Sequence, residues 1–312
     1  MNLFPLKGVK VVNFGLNLPG PMLSMRLKNK GAEVLHIEPP AGDPTRSMFV
    51  DADGTPVLHA WLHAGSEVLS LDLTDEVQRR RALSECEIAD VVIDSFLPGT
   101  LSKLGIDSGN LRDRNAELVY CAIVGLGGNA DAAALPGHDI NFLAASGLAH
   151  ALGLSPWRKL PTFPVGDIAG GVLAAEAEVL AALYARSKSG TGRHIEICIA
   201  DVLEGLNLLA DVARQVPDDR FSAFLSGDFP CYRIYEAADN TMLALGALEP
   251  KFWARFCTLI GCPELIRHQF DTRESDGRCH QIVEQVLRSK GASEWEALSL
   301  SAPCCLTEVK HG

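Results

Sequence analysis

Two turns rich in proline and glycine each carry one side chain that could move a proton. His138 follows Pro136-Gly137, Asp167 follows Val165-Gly166, and an apolar stretch with a helical pattern follows each turn. The dipole at a helix start disfavours the histidine cation, so a neutral, basic imidazole is expected at His138. A carboxylate at such a position can act as a base or as a nucleophile. These residue types suit the transfer of a proton on and off a carbon, provided that the two turns meet in space.

These side chains also have an ordinary structural interpretation. Aspartate is a common N-cap, and His138 could be a loop histidine bonded to the backbone. Glu249 directly precedes Pro250, so it could be a helix-start carboxylate or a group that orients a catalytic histidine. Residue types alone favour the structural roles. The sequence has no GxSxG motif, which argues against a serine hydrolase of that type.

Composition restricts the class of protein and its partners. The 312 residues are 47% hydrophobic and 21% charged, which is typical of a soluble globular protein. The net charge of −11 argues against nucleic acid or an anionic membrane as a partner. We find no signal peptide and no apolar run of the ~18 residues that a membrane span needs. The nine cysteines form no CxxC pair, so we expect reduced thiols, no metal site and a cytoplasmic location.

The elements that must position these residues alternate between strand and helix patterns. The run 8–14 is β-branched and apolar, and strand patterns also occur at 32–38, 68–73, 89–94, 118–124 and 194–199. Helical patterns between them predict an α/β fold with a doubly wound, mostly parallel sheet. Ligands of such sheets bind beyond the carboxyl ends of the strands, where Leu18–Pro21, Leu97–Gly99 and Gly125–Gly128 would lie. The first turn lacks GxGxxG spacing, so no dinucleotide fingerprint is present.

The composition changes near the end of this pattern. We predict a large α/β domain over residues 1–216, a polar linker over 217–227 and a smaller α+β domain over 228–312. The smaller domain is expected to contain a hairpin that turns at Asp239-Asn240, followed by helices over 250–260 and 277–290.

Taken together, these stretches resemble the family III CoA-transferase (CaiB/BaiF) superfamily, and within it the α-methylacyl-CoA racemase branch. Two motifs match that branch: Gly137-His-Asp-Ile-Asn-Phe-Leu143 and Gly246-Ala-Leu-Glu-Pro-Lys-Phe252. The matching superfamily stretches are 6–12, 19–21, 31–38, 71–73, 89–92, 98–99, 118–120, 136–141, 166–171 and 190–192.

The resemblance implies an isomerase that moves a proton at the α-carbon of a 2-methylacyl-CoA-type thioester. His138 and Asp167 would be the bases on opposite faces of that carbon, and Glu249 would support His138. An enolate would form between the two transfers, and the backbone N–H of Asp167 is a candidate donor to its oxygen. The resemblance also implies an interlocked homodimer, and no cofactor beyond the CoA carried by the substrate.

Several positions expected to contact the substrate depart from the family pattern. Pro39, Ser66, Glu67 and Leu97 stand where relatives carry basic residues near the CoA nucleotide. Their loss removes charge-assisted contacts of ~1.5–3 kcal/mol each, for which Arg46 or Arg26 could substitute. The family's C-terminal return segment is also expected to be absent after about residue 306. The substrate-binding residues that we predict are Pro19, Gly20, Arg46, Leu97, Pro98, Gly125 and Gly137.

Three alternatives to the racemase remain open. Asp167 could be the nucleophile of a CoA-transferase, although His138 and the Glu249 motif count against it. The chain could be a divergent proton-transfer enzyme that acts on a substrate without CoA, which the lost basic residues favour. It could also be a binding protein in which the acid/base residues persist as helix caps. The identity of the acyl group is not fixed by the sequence, because the lining of an apolar pocket depends on the fold.

Overall fold

The computed structural model describes residues 4–127, 135–157, 160–216, 225–274 and 277–310. These residues divide into two compact units, 1–208 and 209–312, and the division falls eight residues before the predicted one. Most of the predicted linker, residues 217–224, lies outside the described residues.

The first unit contains six strands and the helices between them. The strands are β1 Lys10–Asn13, β2 Glu33–Glu38, β3 Glu67–Ser70, β4 Val91–Asp94, β5 Val119–Val124 and β6 His194–Cys198. The helices are α1 Pro19–Lys28, α2 Val57–Leu62, α3 Glu76–Glu87, α4 Ser108–Arg114, α5 Asp139–Ala145, α6 Leu148–Ala151, α7 Ala174–Ser189 and α8 Ile199–Leu206, and α9 Leu208–Ala213 spans the division.

The six strands form one parallel sheet in the order β3-β2-β1-β4-β5-β6. The chain moves outward from β1 to β3, then crosses back to β4 and continues to the other edge. Adjacent strands β1 and β4 therefore send their following loops to opposite faces, and this opens a crevice at their carboxyl ends. The order confirms the predicted doubly wound α/β fold and gives the expected place for a ligand.

Both faces of the central part of this sheet are buried, which explains the nearly continuous apolar sequences of β4 and β5. Alternate residues of a strand point to opposite faces, so Val11 of β1 joins one core and Val12 joins the other. The first core contains Leu23 and Leu27 of α1 together with Val179 of α7. Ala82 and Cys86 of α3 are in the second core.

A π-helical segment, Gly166–Leu173, leads directly into α7. The combined stretch Gly166–Ser189 is long and apolar enough to cross a membrane, so our expectation of no such stretch was wrong on length and composition. Its residues Val172, Ala175 and Val179 are fully buried in the first core. A core helix of a globular unit passes the same test, and 39% of the most apolar part of this stretch is buried, so packing accounts for part of its hydropathy.

The second unit is built around a three-stranded antiparallel sheet. The strands are β7 Tyr232–Glu236, β8 Met242–Gly246 and β9 Leu306–Glu308, in that order, and the helices are α10 Pro250–Leu259, α11 Arg278–Leu287 and α12 Ala292–Ser301. The β7–β8 hairpin and two of the helices confirm the predicted elements, whereas α12 and β9 were not predicted. Trp253 is fully buried in the core, and its indole N–H donates to the carbonyls of Leu265 and Ile266.

Candidate active site

A cavity of about 520 Å³ opens at the carboxyl ends of β1, β4, β5 and β6. This volume lies within the ~300–1,000 Å³ that is usual for small-molecule sites. The crossover between β1 and β4 therefore places the cavity where the topology predicts a ligand. The lining residues are Leu16, Asn17, Pro19, Ser95, Phe96, Leu97, Pro98, Ile123, Val124, Gly125, Leu135, Pro136, Gly137, His138, Asn141, Phe142, Asp167 and Ile199.

His138 and Asp167 both line this cavity. Among the lining residues that the structure describes, they are the two with titratable side chains, and none is lysine or arginine. The surrounding surface is mostly apolar, with polar groups on Asn17, Ser95 and Asn141. The two turns that are separated by 28 residues in the sequence thus meet at one site, as the proton-transfer interpretation requires.

Asp139 links the two helix starts. Its Oδ1 accepts a hydrogen bond of 2.8 Å from the backbone N–H of Asp167, and so it ties the start of the π-helical segment to α5. His138 is the N-cap residue of α5, and its backbone N–H donates to Oδ1 of Asn141 at 3.0 Å. The Asp167 N–H, predicted as a donor to an enolate oxygen, is therefore already engaged by a carboxylate.

The Asp167 carboxyl group has a raised pKa. Burial, and after it the negative charge of Asp139, raise the pKa of Asp167 from its ordinary value to about 7. Both causes disfavour the carboxylate, because the charge loses hydration and lies near a like charge. Near neutral pH both forms of Asp167 are therefore populated, which is the condition under which a group can accept and return a proton.

This pKa predicts an unusual dependence of stability on pH. The folded state binds the Asp167 proton more strongly than the unfolded chain does, so this contribution to stability is complete below pH 4 and is lost as the pH rises through about 7. At pH 8 we expect the free energy of unfolding of Asp167→Asn to exceed that of the parent by ~1–2 kcal/mol, a value reduced because the carboxyl group is partly exposed to solvent. At pH 4 this difference should disappear. Thermal unfolding of both proteins at pH 8 and pH 4 measures the difference. The same stability difference at both pH values would contradict the prediction.

Gly125 at the end of β5 allows α5 to approach the sheet. A Cβ atom at residue 125 would lie 2.2 Å from Cε1 of Phe142, a buried residue of α5, and so the ring occupies the space of the missing side chain. Since Phe142 lies four residues after His138 on the same helix, this contact also sets the position of the histidine.

Gly125→Ala is therefore expected to displace α5 and to destabilise the fold by ~1–3 kcal/mol, the usual range for overpacking. Urea unfolding measures the change in free energy. Gly205→Ala is the matched control, because a Cβ at Gly205 in α8 would meet no atom within 4 Å and alanine favours a helix. Equal stability of the Gly125→Ala variant and the parent would show that the Phe142 ring can move without cost.

Of the seven predicted substrate-binding residues, five line the cavity: Pro19, Leu97, Pro98, Gly125 and Gly137. Gly20 and Arg46 do not. Gly20 is buried in α1, where an added Cβ would come 2.7 Å from Cα of Gly15. The Arg46 guanidinium binds the buried carboxylate of Glu38, with Nε 2.9 Å from Oε1 and 3.1 Å from Oε2.

The departures from the family's basic positions are visible in the structure. Pro39, Ser66 and Glu67 are not among the described lining residues, whereas Leu97 lies in the lining and is 45% exposed. Arg26, the other basic residue considered as a substitute, forms a salt bridge of 2.6 Å with Glu176. Both arginines thus have carboxylate partners of their own.

Glu249 belongs to the second unit. It is exposed and is the N-cap residue of α10, which begins at Pro250. This is the helix-start position that the sequence predicted. Its predicted support of His138 stays a prediction.

The sequence did not single out Asn17, Ser95 or Asn141, which supply the other polar groups of the lining. The positions of Asn17 and Ser95 gave a usable signal, since Ser95 directly follows a predicted strand and Asn17 lies three residues after another. Asn141 lies in the motif that contains His138, but only the fold shows that it faces the same cavity.

Comparison with known proteins decides the family. The model of the CoA-transferase family III matches residues 6–311. The chain belongs to this family. It is 30% identical to the probable fatty acyl-CoA transferase Rv3272 of Mycobacterium tuberculosis, over 94% of this chain and 79% of that protein. It is also 30% identical to the human α-methylacyl-CoA racemase, over 97% of this chain and 77% of the racemase.

A solved structure agrees with this assignment. The crystal structure of Rv3272 aligns with a TM-score of 0.82 at 28% identity, covering 99% of this chain and 84% of that one. The named relatives include both a transferase and a racemase. Membership of CoA-transferase family III therefore makes this chain an enzyme of the superfamily without choosing between the two reactions.

Proposed function

We propose that this protein is an isomerase of the racemase type, which moves a proton at the α-carbon of a 2-methylacyl-CoA-type thioester. The observation that carries the proposal is that His138 and Asp167 line one largely apolar cavity and are the titratable side chains of its described lining. Family membership and the similarity to the human racemase support the acyl thioester as the substrate class.

The reaction needs two proton transfers and no net change in composition. One base removes the α-proton, and the electron pair of the C–H bond moves into the thioester to give an enolate. The protonated form of the other base then delivers a proton to the opposite face of the carbon, and this inverts its configuration. Because the pKa of Asp167 is about 7, its acid and base forms differ little in free energy at neutral pH.

Deuterium exchange tests this function directly. Wild-type protein incubated with one enantiomer of 2-methylacyl-CoA in D₂O should incorporate one deuterium at the α-carbon and produce the other enantiomer. Mass spectrometry measures the incorporation, and chiral analysis measures the inversion. If a thioester that binds shows neither, the racemase proposal is wrong.

A CoA-transferase with Asp167 as nucleophile is the second candidate, and the similarity to Rv3272 favours it. In that reaction the carboxylate attacks the thioester, CoA leaves, and an acyl anhydride forms on Asp167. Hydroxylamine added during turnover would then convert Asp167 to a hydroxamate with a characteristic mass. Trapping at Asp167 without α-deuterium exchange would replace the first proposal by the second.

A third candidate, proton transfer on a substrate without CoA, follows from the absence of lysine and arginine in the described cavity lining. A comparison of a 2-methylacyl-CoA with its pantetheine thioester distinguishes it. A similar KM for the two would show that the nucleotide contributes no binding energy. A much lower KM for the CoA thioester would show that basic residues elsewhere hold the phosphates.

We also propose that the protein acts as a homodimer in the cytoplasm, with Glu249 supporting His138. Family membership supports the dimer and the role of Glu249. Light scattering of the purified chain tests the dimer. The charge on Glu249 is tested by Glu249→Gln, which should lower the rate of inversion and leave the fold intact.

A further inference from the structure

Three histidines and two carboxylates form a buried cluster behind the β1–α1 loop. His36 and Glu38 are on β2, Asp43 follows that strand, and His59 and His63 are four residues apart at α2. Their relative exposures are 0%, 3%, 2%, 6% and 6% in that order. The imidazole of His63 lies against both other rings, with centroid distances of 4.1 Å to His36 and 4.4 Å to His59.

The nitrogen atoms of this cluster are poorly satisfied. Within residues 4–127, which the structure describes without a gap, Nδ1 and Nε2 of His63 and Nε2 of His36 and of His59 are buried and have no hydrogen-bond partner. A buried polar atom without a hydrogen bond loses its hydration without compensation. Two of the four nitrogens have a carboxylate oxygen nearby, since Nε2 of His59 lies 3.4 Å from Oε2 of Glu38 and Nε2 of His36 lies 4.0 Å from Oδ2 of Asp43. Such a group calls for an explanation beyond packing.

The two carboxylates beside these rings have different partners. Glu38 forms a salt bridge with Arg46. Asp43 receives its hydrogen bonds from neutral groups, since Oδ1 accepts from the Thr45 N–H at 2.7 Å and Oδ2 from the Asn17 N–H at 3.1 Å. These bonds orient the Asp43 carboxylate. Among the described residues no arginine or lysine forms a salt bridge with it, although the Arg46 guanidinium, which binds Glu38, is near enough to feel its charge.

We propose that His36, Asp43 and His63 bind a divalent transition-metal ion, with zinc as the ion of choice. One nitrogen of each histidine and one carboxylate oxygen of Asp43 lie within 4.8 Å of one another. Imidazole and carboxylate are donors that zinc accepts, and a tetrahedral ion has bonds of ~2.0–2.2 Å to them. The His36 and His63 rings are stacked with an angle of 27° between their planes, so closure around an ion needs one ring to turn until both lone pairs point at it. Closure would satisfy ring nitrogens that lack partners.

The two histidine rings are neutral at physiological pH. Burial is the main cause that lowers the pKa of His36 to about 4 and that of His63 to about 3. A neutral imidazole has one nitrogen with a lone pair and one that carries a proton, so the tautomer of each ring decides which nitrogen can bind an ion.

Asn13 sets one condition on this site. Its Oδ1 accepts from the Gly15 N–H at 2.9 Å, which fixes the amide so that Nδ2 faces Nδ1 of His36 at 2.8 Å. Nδ1 then accepts, and the ring proton is on Nε2, the nitrogen 4.0 Å from Oδ2 of Asp43. Binding at Nε2 requires that proton to leave or to move to Nδ1, so Asn13 acts against the metal and limits its affinity.

The site lies outside the reaction but next to the cavity. Asp43 holds the backbone N–H of Asn17, which lines the cavity, so an ion at Asp43 would stiffen the loop that follows β1. This is a structural role. This site was not predicted, because the expectation of no metal rested on cysteine spacing, whereas the proposed ligands are spread over 28 residues.

Zinc titration of the full chain tests the proposal. Protein dialysed against a chelator should bind one Zn²⁺ per chain by calorimetry, and His63→Ala and the milder His63→Gln should weaken binding at least about tenfold. His150→Ala is the control, since His150 is exposed. Circular dichroism shows whether each variant is folded, and His63→Gln serves if alanine unfolds the chain.

Two further measurements separate this site from other donors. Co²⁺ should give visible bands of nitrogen and oxygen ligands without thiolate charge transfer, whereas a thiolate band would place the ion on a cysteine and overturn the proposal. Asn13→Asp would accept the Nδ1 proton of His36 and should tighten Zn²⁺ binding about tenfold. Absence of one-to-one binding, or unchanged binding in both His63 variants, would also overturn it.

Discussion

Asp167→Ala is expected to slow the inversion of a 2-methylacyl thioester by ~10²–10⁴-fold, which is the usual contribution of a positioned acid or base. Asp167 lines the cavity together with His138, and its pKa of about 7 suits proton transfer. If the two bases act on opposite faces, His138 can still exchange the proton of the enantiomer that faces it. We therefore expect deuterium in one enantiomer only, without inversion.

The matched control is Asp113→Ala, because Asp113 is an exposed aspartate of α4. It should invert the substrate at the parental rate. The reciprocal variant, His138→Ala, should exchange the other enantiomer only. Exchange of both enantiomers in Asp167→Ala would show that one base serves both faces and would refute the two-base mechanism.

The second large effect is on stability. Arg46→Ala leaves the carboxylate of Glu38 buried without its cation, and breaking a buried pair in this way usually costs ~3–5 kcal/mol. We expect about 3 kcal/mol, because the Arg46 side chain is 43% exposed and water can partly replace it. Denaturant unfolding at pH 7 measures the loss.

The dependence of this loss on pH identifies its cause. Burial by itself would raise the pKa of Glu38, but hydrogen bonds from Arg46 and from the Asp43 N–H outweigh it and lower the pKa. The pair therefore stabilises the fold above the ordinary pKa of a glutamate, and its contribution is lost as the pH falls through the lowered folded value. Arg46→Ala should approach the parent in stability at low pH.

Two comparisons complete this experiment. Arg80→Ala removes an exposed pair with Glu76 within α3 and should cost no more than ~0.5 kcal/mol. Arg46→Lys keeps the charge, so it should retain much of the stability. If Arg46→Lys is stable but its KM for a CoA thioester rises sharply, Arg46 binds substrate as the sequence predicted, and its bond to Glu38 is not its main role.

The fold was largely predictable because its determinants are local. Each of the six apolar runs formed a strand near its predicted position. The side chains of Asp75 and Asp107 cap the starts of α3 and α4, and aspartate is a preferred residue at this position. Helix α12 and the short strand β9 were missed, since three residues of strand carry little pattern.

The site was predictable only in part, because its geometry depends on distant contacts. The hydrogen bond from the Asp167 N–H to Asp139 brings Asp167 to the cavity that His138 also lines. No local sequence pattern predicts this bond. The same bond explains why the predicted enolate donor is engaged. The sequence indicated that Arg46 was free to bind substrate, but Arg46 forms a salt bridge with the buried carboxylate of Glu38, eight residues earlier.

The π-helical segment Gly166–Leu173 affects how the chain length can change at this site. A π turn bonds residue i to i+5 instead of i+4, so it holds an additional residue without rotating the helix that follows. Deletion of one residue within this segment could therefore be absorbed by conversion to an α turn, while α7 keeps its packing. Asp167 would then move relative to the cavity, and insertions or deletions here offer evolution a route to a new reaction on an unchanged scaffold.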